Sequence, residues 1–153
     1  MNIDSLRSYL DILAREGYAA TDGGKNADGS STITHASSPW RTIDTYFGGE
    51  PYGGNEVVFL DDRAVWMMAY YGRVTSEPGR IGGIYRFLKA ALADTDPQFP
   101  VRGPHQFAGP DMTYANAWDG DLEHFTGVEH IAIADSEVYT AWYAGGLVDQ
   151  RPE

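Results

Sequence analysis

At 153 residues, with 42% hydrophobic side chains and no cysteine, the chain has the size of one domain with a core of its own, and it excludes disulfides and thiolate chemistry. Twenty-two acidic side chains against eleven lysines and arginines give a formal charge of −11, which repels a phosphate backbone and argues against direct nucleic-acid binding. No apolar run approaches a membrane span, and the opening Met1-Asn2-Ile3-Asp4-Ser5 has no signal-peptide pattern, so a cytoplasmic protein with no membrane partner is expected.

Leu6, Tyr9, Leu10 and Leu13 recur at helical spacing between an Asp4 or Ser5 cap and Gly17, which predicts a first helix over Ser5 to Glu16. Thr21 to Pro39 is rich in Gly, Ser, Asp, Asn and Thr and reads as a mobile surface loop. Trp40 to Phe47 suits a strand broken by Gly48-Gly49. A hairpin follows, from Glu56–Leu60 through Asp61-Asp62 to Val65–Tyr71, closed by Gly72. After Pro78-Gly79, Ile84, Phe87, Leu88, Ala91 and Leu92 mark a second helix, and Pro100-Val101-Arg102-Gly103-Pro104 makes a rigid turn. The last third carries a strand over Met112 to Trp118, a second from Glu129 to Ile133, a turn at Asp135-Ser136, and a third from Val138 to Tyr143 before Gly145-Gly146.

That last third echoes the middle one. Glu129 follows Glu56 by 73 positions, and the same offset pairs Gly54 with Gly127, Val58 with Ile131, Trp66 with Tyr139, Tyr70 with Tyr143 and Gly72 with Gly145. At an offset of 72, Asp44 pairs with Asn116 and Tyr46 with Trp118. The expected fold class is α+β, a single domain of two pseudo-symmetric helix-strand-strand-strand repeats, about 4–74 and about 80–148. The sheet would be mostly antiparallel, with helices packed on one side.

Alternation across a strand puts Glu56 on the face of Val58 and Leu60, and Glu129 on that of Ile131 and Ile133. The same counting groups Asp44 with Thr42 and Tyr46, Asn116 with Tyr114 and Trp118, and Trp66 with Met68 and Tyr70. If these faces converge, carboxylates stand among aromatic walls, either pinning hairpins as satisfied structure or lining a small-molecule site. Arg102, held by its stiff turn, is placed to clamp an interior carboxylate or an anionic ligand, or to form a surface salt bridge. The four histidines form no ligand pair, so no metal site is expected. The glycine pairs lack a phosphate-loop ending and the serines lack a nucleophile elbow.

Several runs in order resemble a known family: Ile43-Asp44-Thr45-Tyr46-Phe47-Gly48-Gly49, Gly54-Asn55-Glu56-Val57-Val58, Val65 to Gly72, Phe87 to Leu92, Arg102-Gly103-Pro104, Gly120-Asp121, Phe125-Thr126-Gly127-Val128-Glu129 and Gly145-Gly146. The chain is similar to the bacterial and archaeal domain of unknown function family 5680. It departs from the family at Thr42, where the pattern favours an aromatic residue, and in the loop before it. The resemblance implies a domain that occurs alone or behind an XRE-type helix-turn-helix, hence an effector-sensing or partner-binding role. Only one short helix precedes the loop in this chain, so no such DNA-binding segment is read in it.

Three functions follow as expectations. The first is a module binding a small polar or cationic molecule through Asp44, Tyr46, Glu56, Trp66, Tyr70, Arg102, Asn116, Glu129 and Tyr143, without a cofactor. The second is a cofactor-free enzyme with Glu56 and Glu129 as acid and base. The third is a protein-interaction domain working through the loop and an exposed sheet face, with a homodimer among its assemblies.

Overall fold

The computed structural model describes residues 1–17 and 24–151. In chain order it contains α1 (Ile3–Gly17), β1 (Ser31–Ser37), β2 (Trp40–Gly48), β3 (Tyr52–Leu60), β4 (Arg63–Val74), α2 (Ile81–Ala93), β5 (Gln106–Ala108), β6 (Thr113–Asp121), β7 (His124–Ile133) and β8 (Ser136–Leu147). The strands form one antiparallel sheet in the order β1-β2-β3-β4-β8-β7-β6-β5. The class is α+β.

Four strands follow each helix, not three. The segment expected as a loop from Thr21 to Pro39 contains β1, while residues 21–23 lie outside the described residues. Thr32, Ile33 and Thr34 are β-branched and suit a strand, but β1 is an edge strand laddered to β2 and half-buried at most, so it carries no sustained apolar alternation. β5 escaped notice because three residues are too few to set a period. Three strands also run further than the glycines suggested. Gly53-Gly54, Gly72 and Gly145-Gly146 lie inside β3, β4 and β8.

Asn2 caps α1, its Oδ1 accepting the Asp4 and Ser5 backbone N–H groups at 2.8 and 3.3 Å, two or three residues earlier than the sequence suggested. The Leu6, Tyr9, Leu10 and Leu13 stripe packs on Val58, Trp66 and Met68 of β3 and β4, with Phe125 of β7. On α2, Ile84, Leu88, Ala91 and Leu92 cover Tyr114, Ile131, Val138, Tyr139 and Ala141 of β6 to β8. Both helices therefore sit on one face. Along the β4–β8 seam, Trp66 marks one core cluster and Tyr139 the other, with the directly paired Tyr70 and Tyr143 midway between them. Neither helix covers the outer face, where Phe47, Tyr71 and Trp142 stand 53%, 46% and 46% exposed. Among the described residues no helix is long and apolar enough to cross a membrane.

Candidate functional site

The polar interior is built from register. Across β2 and β3, Asp44 faces Glu56, and across β6 and β7, Asn116 faces Glu129. Both glutamates point to the helix-covered face, as alternation requires, and both are buried, at 7% and 0% exposure. The glycine two positions before each is needed for packing. A Cβ at Gly127 would strike the Tyr143 ring, and one at Gly54 would strike the Thr45 carbonyl and Tyr46.

The surroundings of the two acids differ. Glu129 is clamped by Arg102, with Nε donating at 2.7 Å and Nη2 lying 2.6 Å from the same Oε1, while the Tyr114 hydroxyl donates to Oε2 at 2.5 Å. The turn bearing Arg102 is fastened to the same strands. The Gly103 N–H donates to the Tyr114 hydroxyl at 3.1 Å, and Asn116 Nδ2 donates to the Gly103 carbonyl at 2.8 Å. Asn116 Oδ1 accepts from the Tyr143 hydroxyl at 2.7 Å. Burial, reinforced by the Glu129 charge, raises the Tyr114 and Tyr143 hydroxyls well above the usual phenol range, so both act as donors.

Glu56 has no such clamp. No hydrogen bond from a described residue reaches its carboxyl, and burial first, then the Asp44 charge, push its pKa up to about 8 against the partial relief of Arg102. Asp44 is half-buried, and its Oδ1 accepts the Tyr70 hydroxyl at 2.5 Å. Its pKa is also raised by burial, opposed by Tyr70 and Arg102. Arg102 stands 5.9 Å from the Tyr70 ring centroid, so one guanidinium serves Asp44, Glu56 and Glu129 while pairing closely with the last. On the α1 side, the Tyr9 hydroxyl bonds Thr42 Oγ1 at 2.7 Å and His35 Nδ1 at 3.3 Å. Its pKa is raised by burial and, secondarily, by the charge of Glu56.

Asp44, Glu56, Tyr70 and Arg102 thus meet in one group, and Glu129, Asn116, Tyr143 and Arg102 in another. Tyr46 lies half-buried two positions from Asp44 on the same strand face. Trp66 belongs to neither group. It is fully buried against Phe125, with its indole N–H donated to the Leu122 carbonyl at 3.0 Å, because α1 closes over that end of β4. Strand counting set Tyr114 beside Asn116 without counting it among the site residues, and Tyr9 was not counted at all. Tyr114 shares its strand face with Asn116, which is a legible signal, whereas Tyr9 sits in an apolar helical stripe and looks like core alone. Among the described residues no three His, Asp or Glu side chains gather to hold a metal ion.

An antiparallel α+β domain with helices on one face and an acid cluster beneath them is the class that fold and site define. The chain belongs to the family described as a domain of unknown function, DUF5680, whose model matches residues 44–148. The match begins at Asp44 and takes in Glu56, Arg102, Asn116 and Glu129. No curated protein matches the chain, and no solved structure does.

Proposed function

We propose that the domain binds a small organic cation carrying N–H donors, a primary ammonium or a guanidinium, against Asp44 and Glu56. One observation carries this reading: Glu56 is buried, no described residue donates a hydrogen bond to its carboxyl, and it stands directly opposite a second carboxyl. A buried acid in this position either keeps its proton or awaits a counter-charge. A donor cation supplies both charge and hydrogen bonds, whereas a quaternary ammonium supplies charge alone. Half-buried Tyr46 and Tyr70 give the aromatic flank that favours such a cation.

The chain also reads as two repeats, and this strengthens the case. The Glu56–Met68 register recurs as Glu129–Ala141, and the irregularity at Val58/Phe59 recurs at Ile131/Ala132. The positive-φ turn residues Asp61 and Asp62 recur as Ala134 and Asp135. Each step is 73 positions. On this reading equivalent acids have diverged. The second half replaces the aspartate with Asn116 and gives Glu129 to Arg102, while the first keeps two acids and no clamp.

Melting temperatures at pH 8 with primary amines, guanidines and tetramethylammonium test the proposal. A donor cation at about one hundred times its Kd adds about 2.7 kcal/mol, or roughly 5–10 °C for a domain of this size. The shift is expected for amines or guanidines, not for tetramethylammonium, and is lost in Glu56→Gln and reduced in Asp44→Asn. Equal shifts in wild type and Glu56→Gln, or no response to any donor cation, would sink it. A second reading rests on the Glu56 pKa near 8, which suits a general acid beside Asp44 as base. Turnover of a bound amine with a pH profile bending near 8 would favour it over binding alone.

A further inference from the structure

We infer that the uncovered outer face of the sheet is the contact between two copies of this chain. By strand alternation this face takes in the outward positions of 41–47 in β2, 53–59 in β3, 67–73 in β4, 140–146 in β8, 124–130 in β7 and 113–119 in β6, with Phe47, Val57, Tyr71, Trp142 and Val128 among its apolar side chains. Of its formally charged residues, Arg41 and Arg73 outweigh Asp119, although the chain carries −11. Arg41 and Arg73 lie towards its ends, His130 stands opposite Ala115, and Asp119 lines the trough at its β6 side. Two strongly acidic molecules repel, so a broad face that carries almost none of the chain's acids is where a second copy approaches at low electrostatic cost.

The relief of the face fits itself. Tyr71 and Trp142 pair across the β4–β8 seam and form an aromatic ridge. Beside it Ala69 pairs with Ala144, and these small residues, with Ala117, Thr126 and Val128, floor a shallow trough of about 700 Å³. A two-fold axis lying between two stacked sheets sets the ridge of each copy in the trough of the other, the self-complementary arrangement that a closed dimer requires. Six strands at about 4.8 Å and seven residues at about 3.4 Å give roughly 700 Å² per copy. Two copies bury about 1,400 Å², within the roughly 1,200–2,000 Å² of a stable interface. Exposed aromatics flanked by small residues are also the usual anchors of such contacts.

Sedimentation equilibrium across a dilution series tests this independently of any ligand. Wild type is expected at twice the chain mass, and Ala144→Arg and Ala69→Glu, which place a charge in the trough, at the single-chain mass with an unchanged far-UV circular dichroism spectrum. Wild type sedimenting as a single chain at every concentration overturns the inference, and so does a folded Ala144→Arg that keeps twice the chain mass. Should the charged variants lose their spectrum, Trp142→Ser removes the ridge without burying a charge and is decided by the same two readings.

Discussion

Arg102 makes the two interior glutamates chemically unlike. Glu129→Gln leaves a buried guanidinium without its close counter-charge, a loss of about 3–5 kcal/mol, and should lower the melting temperature by on the order of 10 °C. Glu56→Gln should do the reverse, and only at high pH. The folded-state pKa of Glu56, about 8, lies above its ordinary 4.5, so between these values the folded chain holds a proton the unfolded chain has released. Stability from this group is therefore full below about pH 4.5 and is lost as pH rises through about 8. Glu56→Gln removes the loss, so urea unfolding should find the variant level with wild type at pH 4.5 and ahead of it at pH 9 by on the order of a few kcal/mol. A gap that does not change with pH would contradict this assignment. Alternation alone located both acids on the inner face. It was silent on which of them Arg102 would take, because that depends on Gly103 and Asn116 docking the turn, a contact between residues 13 positions apart with no periodic trace.

At the scale of elements, long periodic segments were legible and short edge pieces were not. Both helices and the hairpins around Asp61-Asp62 and Ala134-Asp135 follow from stripe, alternation and turn chemistry. β1 and β5 sit at the two ends of the sheet, where one-sided pairing and exposure leave little apolar pattern to read. The second hairpin turn was placed one residue late, at Asp135-Ser136, because Ala134 gives no turn signal. Yet Ala134 and Asp135 both take positive φ, 47° and 65°, in the manner of a two-residue primed turn. An alanine there lacks the local hydrogen bonding that lets asparagine tolerate this region. Replacing Ala134-Asp135 by Asn-Gly should add about 1 kcal/mol, seen as a rise of about 2–4 °C in melting temperature. An unchanged or lowered value would mean the turn residues carry a contact beyond their own backbone.

For the whole molecule, composition and the sequence echo were enough for the α+β class, while the strand order β4-β8 at the centre was not written in any local pattern. Adjacent strands β1 to β4 and β5 to β8 pair in sequence order through short connections. The seam alone joins distant chain, from Trp66 opposite Leu147 to Val74 opposite Tyr139. That contrast has a kinetic consequence. Each four-stranded meander closes small loops and gains its hairpin contacts early, whereas the seam must bring together residues 65 to 81 positions apart, with a larger entropic toll on closure. Loop-closure entropy therefore predicts that the seam forms late. Until it does, each meander can hold only its own half of the cluster, Asp44 and Glu56 with Tyr70 in one and Glu129 with Arg102 in the other, and the seam is what brings Arg102 alongside Tyr70 and Asp44.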